Sequence, residues 1–279
     1  MTVQQQPRLA ITGAAGALGR LVARRVAPYS PILVVGDAAH APDLGLAVRC
    51  CDYTDEEASV AALAGVEVLF MVSAGASPGR RAQHRTFIRA AVAAGVRHVV
   101  YTSFCGAGPD STFTLGRDHY DTEQAIRESG LVFTILRENV YLDVLPNLAD
   151  EAGVIPGAAG EGRVAAVARA DVADVAAAVL HDPDDHSGVT YTLTGPEALT
   201  VTEFAVRAGA VLGRTLRVAN ETADAHASRT AMVGVEQWQL DAWMSTYTAI
   251  ADGSCATVTD DVDAVTGRRA RTLEEALSP

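Results

Sequence analysis

Short apolar runs alternate with helical patterns through the first half of the chain. Leu9–Thr12 reads as a short strand, and residues 32–35 (ILVV) form a fully apolar run of the kind buried on both faces. Residues 46–49, 66–72, 97–102 and 131–137 add four more strand candidates. Between them the pattern changes to helical spacing. Residues 17–26 carry Leu18, Leu21, Val22 and Val26 on one face, and residues 55–63, 80–94 and 117–129 follow as helices. Acids open the second of these helices, and Gly95 and Gly130 stop the third and fourth. Strict βαβα alternation with buried-type strands predicts an α/β fold with a doubly wound parallel sheet.

After residue 138 the rhythm breaks. Residues 141–151 and 171–180 read as helices, 189–193 as one more strand, and 200–279 as mostly helical and less regular. The stretch 153–163 (GVIPGAAGEGR) reads as a turn-rich loop. No internal repeat and no low-complexity linker separates the halves, so the second region is expected to sit on the first as a cap.

The strongest local signal is LAITGAAGALGRLV. Gly13, Gly16 and Gly19 form G-x-x-G-x-x-G directly after the first strand and at the mouth of a helix. Glycines let a backbone turn tightly and approach a pyrophosphate, and the helix N-terminus offers free N–H groups with partial positive charge. A dinucleotide site is therefore expected. An acid at the end of the second strand accepts hydrogen bonds from the adenosine ribose and repels a 2′-phosphate. Asp37 stands there, in VVGDAAHAPD, with no arginine beside it. This favours NAD(H), with NADP(H) still possible; a solvated turn residue is the other reading. Asp52, after the third strand, is placed to meet the adenine edge or to cap the helix that starts near Asp55.

Composition changes the picture in one respect. All 22 basic residues are arginine, so no Schiff-base lysine, P-loop lysine or Tyr-Lys catalytic pair exists. The formal net charge of −12 disfavours nucleic-acid phosphates and anionic membranes as partners. Cys50, Cys51, Cys105 and Cys255 show neither CxxC spacing nor paired His ligands, which reads as free thiols in a reducing cytoplasm and no metal site. The start, MTVQQQPRLAITG, lacks the apolar core of a signal peptide, and no stretch of ~20 residues is apolar enough to span a bilayer. The expectation is a cytoplasmic monomer or homodimer acting on a small-molecule substrate, with no nucleic-acid or membrane partner.

Several longer strings carry a resemblance: ITGAAGALGR, residues 83–103 (QHRTFIRAAVAAGVRHVVYTS), 118–141 (DHYDTEQAIRESGLVFTILRENVY), 157–171 (GAAGEGRVAAVARAD) and 191–200 (YTLTGPEALT). In this order they resemble the atypical short-chain dehydrogenases/reductases of the NmrA-like group, especially the bacterial NAD(P)H-dependent quinone oxidoreductase and triphenylmethane reductase type. The resemblance implies a Rossmann-type domain over residues 1–138, completed by segments within 165–195. Residues 139–164 and 196–279 would form a small, mostly helical substrate lobe. It also implies that Gly13, Ala15, Gly16, Ala17 and Leu18 meet the pyrophosphate, that Val72, Ser73 and Ala74 line the ribose, and that Thr102 and Ser103 end near the nicotinamide. Asn139 and Tyr141 fall in the loop that holds the carboxamide side. Two positions depart from the type: Gly36 replaces an arginine suited to a 2′-phosphate, and Gln124 replaces a lysine that would hold the nicotinamide ribose.

Ordinary members of this superfamily use a Tyr and a Lys four residues apart. Tyr120 and Gln124 have that spacing, and Ser103 has the position of the serine that binds the substrate oxygen. Without the cation, Tyr120 is expected to donate a hydrogen bond or a proton but to be a poor base; a packing role is the alternative. His119, adjacent to it, is the other candidate proton source, or else a surface histidine. The expected activity is NAD(P)H-dependent hydride transfer to a quinone, enone or similar conjugated carbonyl, acceptors that need little acid assistance. A non-redox isomerase, dehydratase or cyclase, or a dinucleotide-binding redox sensor of NmrA type, are the alternatives. The acceptor would be specified by the cap, residues 140–154 and 200–243, where Trp238, Trp243, Met244 and Tyr247 either line an aromatic pocket or pack a core.

Overall fold

The computed structural model describes residues 8–231, 234 and 236–278. The N-terminal reading of residues 1–7 lies outside the described residues, as do cap positions 232, 233 and 235. The strands are β1 (Leu9–Thr12), β2 (Ile32–Val35), β3 (Val48–Cys50), β4 (Val68–Met71), β5 (His98–Phe104), β6 (Val132–Glu138), β7 (Val154–Gly157), β8 (Arg163–Val164), β9 (Thr190–Leu193), β10 (Leu199–Thr200) and β11 (Arg217–Asn220). The helices are α1 (Ala17–Arg25), α2 (Glu56–Ala62), α3 (Arg80–Ala93), α4 (Thr114–Glu128), α5 (Arg169–His181), α6 (Val201–Leu212), α7 (Ala223–Ala231), α8 (Gln237–Ala251), α9 (Asp261–Thr266) and α10 (Leu273–Leu277).

Seven strands form one sheet in the order β3-β2-β1-β4-β5-β6-β9, and every pairing in it is parallel. Every residue of β1, β2 and β4 is buried, as expected for strands covered on both faces. Val22 of α1 and Val172, Val175 and Val179 of α5 cover one face, against Ile11, Val100 and Leu136. Phe87 and Ile88 of α3 and Ile126 of α4 cover the other, against Leu69 and Tyr101. The strand order reverses direction between β1 and β4, and that reversal opens a crevice at the carboxyl ends of the strands. No helix among the described residues is long and apolar enough to cross a membrane.

A second core, built on Phe204, Ala205 and Ala208 of α6 with Leu145, Ile155, Ile250 and Leu273, forms the C-terminal lobe. Here the structure departs from the sequence pattern. Residues 141–151 do not form a helix; they hold one short 3-10 turn, Leu145–Leu148, with Pro146 in its first positions and Gly153 beyond it at φ 75°. Proline cannot donate the bond that a longer helix would need. The stretch 153–163 is not all loop, since it carries β7, which pairs in parallel with β11, and β8, which pairs antiparallel with β10. Strands this short show no alternation of their own, and their partners lie far along the chain.

The turn between β7 and β8 rests directly on the end of α8. A Cβ added at Gly162 would overlap the Ile250 carbonyl and lie 2.6 Å from Ala251 Cα, both backbone groups that cannot rotate away. Gly162→Ala is therefore expected to lower unfolding stability by ~1–3 kcal/mol, read as a reduced urea midpoint with an unaltered slope. An unchanged midpoint would mean that turn and helix part without cost.

Candidate functional site

The glycine turn joins β1 to α1 at the crevice. Gly13 has φ 60°, and a Cβ there would stand 2.9 Å from Val72 Cβ. At Gly19 a Cβ would overlap the Gly13 carbonyl, so only glycine lets the helix sit down on its own turn. Gly16 caps α1 with no side chain, and its N–H donates to the Gly13 carbonyl at 2.8 Å. The first-turn N–H groups of Ala17, Leu18 and Gly19 thus face outward at the positive end of the helix. Leu18 contributes only backbone, because its side chain is buried in the core. Ala15 is half-buried, and its carbonyl accepts from Arg20 Nη2 at 3.2 Å. A cradle that added Cβ atoms would fill, at a helix N-terminus, fits a pyrophosphate.

Across the turn, the end of β4 forms a wall whose three N–H groups and two of whose carbonyls are engaged. The N–H of Val72 donates to Thr12 Oγ1 (2.9 Å), that of Ser73 to Thr102 Oγ1 (2.8 Å), and that of Ala74 to His84 Nε2 (2.8 Å). Tyr53 Oη donates to the Val72 carbonyl (2.9 Å) and Arg80 Nε to that of Ala74 (2.8 Å). His84 must be neutral to accept at Nε2, and burial followed by the nearby Arg80 lowers its pKa to about 3. Between turn and wall lies a cavity of about 400 Å³, lined by Gly13, Gly36, Asp52, Tyr53, Val72 and Ser73 among others. Asp52 holds Thr54 N and Oγ1, both at 2.7 Å, and these bonds lower its pKa; it serves the local turn while facing the cavity. Asp37 is exposed, caps the turn Ala38–His40 through Ala39 N (2.9 Å) and pairs with His40 at 3.1 Å.

The proposed catalytic trio does not assemble. Ser103 is buried and its hydroxyl donates to Glu123 Oε1 at 2.6 Å, so its one proton is committed and cannot serve a substrate oxygen. His119 is neither a surface residue nor an available acid. It is 6% exposed, lies 3.0 Å from Arg80 Nη2 and 2.9 Å from Tyr101 Oη, and burial with the Arg80 charge holds its pKa well below the ordinary value. Tyr120 and Gln124 line a groove of about 940 Å³ between α3 and α4, with Arg81, Arg85, Ile88 and Arg89, on the outer side of the helix pair. The buried face of α4 instead carries His119, Thr122, Glu123 and Ile126. Asn139 is also absent from the cavity: its Nδ2 donates to the Cys255 carbonyl at 2.9 Å and ties β6 to the lobe. Thr102 reaches the site only through the Ser73 N–H.

Sequence reasoning missed the residues that hold the site together. Arg80 and His84, four apart on α3, face inward and brace the β4 wall. Glu123 collects Arg137 at 2.7 and 2.8 Å and Arg127 at 3.0 Å. Burial pushes its carboxyl up, but the bonds from Arg137, Ser103 and Arg127 outweigh burial and hold it below the ordinary value. The only signal was polar residues repeating at i, i+4, which two phases of α4 satisfy equally.

In the lobe, a pocket of about 380 Å³ is lined mainly by apolar side chains, among them Val140, Leu145, Leu148, Trp243, Tyr247 and Ile250. Arg229, at its edge, pairs with Glu221 at 3.1 Å, which also lies 2.9 Å from His226 Nδ1. Of the four candidate cap residues, Trp243 and Tyr247 face this pocket; Tyr247 Oη is anchored on the Pro156 carbonyl at 2.9 Å.

The family described as NAD(P)H-binding matches residues 13–183. Quinone oxidoreductase 2 of Escherichia coli is 34% identical over 97% of this chain and 97% of its own length. NAD(P)H azoreductase of Xenophilus azovorans is 31% identical over 95% of each. The crystal structure of Citrobacter sp. triphenylmethane reductase complexed with NADP(H) superposes with a TM-score of 0.86 at 30% identity, covering 96% of this chain and 98% of the other.

Gly13 has no room for a branched side chain against Val72. Gly13→Val is expected to weaken NADH binding at least tenfold in calorimetry and to cost ~1–3 kcal/mol of stability by pressing on Val72. Wild-type affinity in a folded variant would remove the turn from the cofactor site.

Proposed function

The chain belongs to the NAD(P)H-binding family, and we propose that it is an NAD(P)H-dependent oxidoreductase that passes hydride to a small, flat, conjugated acceptor such as a quinone or enone. Likeness along the whole chain, sheet and lobe together, to reductases named for quinone, azo and triphenylmethane substrates carries this reading. Those substrates are conjugated electrophiles, and the apolar lobe pocket suits such a ligand: its walls are aliphatic and aromatic, and the Arg229 charge is answered by Glu221.

When bound, the nicotinamide supplies the hydride. The protein's part is to hold and orient. The glycine turn and the N-terminus of α1 take the pyrophosphate, the braced backbone of Val72, Ser73 and Ala74 forms the ribose wall, and Asp52 with Tyr53 borders the adenine end. Tyr141, in the loop after β6, stands on the carboxamide side. The chain has no lysine at any of these positions, so a readily reduced acceptor is required. Anaerobic mixing of NADH with a panel of quinones, followed at the nicotinamide absorbance, tests the reading; absence of turnover with every acceptor overturns it in favour of a sensor or a non-redox enzyme.

Within this function we assign the adenosine end to NAD(H). Asp37 closes β2 with no arginine beside it, and its carboxylate would repel a 2′-phosphate. NADH is expected to bind more tightly than NADPH. A Cβ at Gly36 meets nothing within 4 Å, so Gly36→Arg is accommodated and is expected to shift the NADH/NADPH affinity ratio toward NADPH by roughly tenfold, about 1.4 kcal/mol, in paired titrations. A wild-type preference for NADPH would show that the β2 argument fails.

Tyr120 faces the α3–α4 groove and not Ser103. Tyr120→Phe is accordingly expected to change kcat for a good quinone by less than about tenfold, whereas loss of a general acid costs ~10²–10⁴-fold. A thousandfold loss would restore Tyr120 as the acid.

A further inference from the structure

Reduction of a quinone-like acceptor consumes a proton, and neither Ser103, His119 nor Tyr120 is placed to give it. The carboxyl at the end of β6 is. Glu138 pairs in register with Phe104 of β5 and Leu193 of β9 at the carboxyl edge of the sheet, where the crevice opens. It is 6% exposed. Its Oε2 accepts from Tyr141 Oη, and its Oε1 is buried with no hydrogen-bond partner among the described residues. Val140, between the two, lines the apolar pocket of the lobe. Tyr141 is half-buried along the edge of the same hydrophobic layer as Ala15 of the glycine turn and Val72 of the wall. The carboxyl therefore lies at the carboxyl end of the sheet, on the strand whose following loop borders the lobe pocket through Val140 and the glycine-turn layer through Tyr141.

The groups facing Glu138 do not supply a countercharge in contact with it. Tyr141 and Asp143 follow on the loop, Arg169 opens α5, and Tyr101 of β5 stands on the opposite face of the sheet. The Arg169 guanidinium lies 4.5 Å from the centre of the Tyr141 ring and is paired with Asp143. Burial pushes the Glu138 carboxyl up to about 8, against the Tyr141 bond and the Arg169 charge, so it carries its proton at neutral pH.

We propose that Glu138 is the proton donor to the reduced acceptor, with Tyr141 as the residue that positions its carboxyl. This rests on the reductase reading. The Tyr141 hydroxyl occupies Oε2 and leaves the acid proton on Oε1, the oxygen without a partner. The acceptor gains two electrons and one proton as hydride from the reduced nicotinamide. The Oε1–H bond then breaks, its proton passes to the acceptor oxygen directly or through one water, and a quinone leaves as hydroquinone. Glu138 remains as carboxylate and is reprotonated from solvent before the next turnover.

The test is steady-state quinone reduction across neutral and alkaline pH for wild type, Glu138→Gln and Tyr141→Phe, with NADH affinity measured separately by calorimetry. Wild-type kcat is expected to fall as pH rises through about 8. Glu138→Gln should lower kcat roughly a hundredfold and flatten the profile with NADH affinity kept; Tyr141→Phe should lower kcat but retain the pH dependence. Two readouts need no turnover. In the ligand-free protein the infrared band of a protonated carboxyl should disappear with a midpoint near 8 and be missing from Glu138→Gln. Because the folded pKa is raised, thermal stability should decline as pH climbs from the ordinary carboxylate value of ~4.3 toward about 8, and Glu138→Gln should lack that decline. If wild type reduces quinones and Glu138→Gln matches it in rate and profile, the donor is elsewhere and the reductase reading stands. If wild type consumes no NADH with any acceptor, the reductase reading falls and the donor role with it. Should Glu138→Gln fail to fold, an infrared carboxyl already ionised at neutral pH in wild type overturns the proposal.

Discussion

The backbone between β4 and α3 is the constraint around which the site is arranged. Val72, Ser73 and Ala74 leave the sheet at its carboxyl edge, where no strand continues to pair them. An unpaired buried N–H costs ~1–3 kcal/mol, so three in a row need three partners. They come from three elements: Thr12 on β1, Thr102 on β5 and His84 on α3. Tyr53 and Arg80 close the carbonyls of Val72 and Ala74. His84 can do this only as the neutral tautomer, with Nε2 accepting and Nδ1 donating to Thr122 Oγ1 at 2.7 Å. Desolvation and Arg80 keep it neutral far below physiological pH. The wall is thus rigid before any ligand arrives, and the glycine turn facing it is shaped by the same contact, Gly13 against Val72.

Behind the wall, α4 presents acid and base inward, and this settles what its residues can do. Glu123 is a fully buried carboxylate held by two arginines and a serine. A buried charge left with one partner missing is strongly destabilising, so Ser103, Arg127 and Arg137 are bound to it structurally. In a chain without lysine, the cations near the strand ends are arginines, and these are already paired. Among the described residues no spare positive charge adjoins Ser103 to lower a neighbouring hydroxyl. Glu138, at the end of β6, is by contrast a carboxyl that burial raises rather than one a cation lowers.

The alternation of apolar strands and helical stripes made the sheet, its parallel sense and the glycine turn legible, because each leaves a periodic or compositional mark. The phase of α4 left none. TLGRDHYDTEQAIRE has only Leu115 and Ile126 as large aliphatic residues, so nothing in the pattern distinguishes the 119/123 pair from the 120/124 pair. The spacing of a Tyr-Lys motif points to the 120/124 face, which lines the outer groove, while the buried face carries 119 and 123. The lobe was obscure for a different reason: β7 and β11 find each other across about sixty residues, and neither is long enough to alternate. Glu138 was invisible because an acid at the end of a strand looks solvated until the neighbouring loop and α5 are seen to bury it.

The two halves of the site are held by different physics, and this bears on how the acceptor is chosen. The cofactor wall depends on directional hydrogen bonds, each between two particular atoms, and replacing any partner leaves another buried and unsatisfied. The lobe pocket, proposed to take the acceptor, depends on Val140, Leu145, Leu148, Trp243 and Ile250, whose contacts are apolar and tolerate exchanges that conserve volume. A change of acceptor therefore needs no change in the sheet. The loop after β6 is where the two regimes meet: Asn139 locks to the lobe, Val140 faces the pocket, and Tyr141 bonds back to Glu138. Two neighbouring residues of one short segment thus serve the lobe while the flanking pair bond to each other, and the proposed donor keeps its strand position whatever shape the pocket takes.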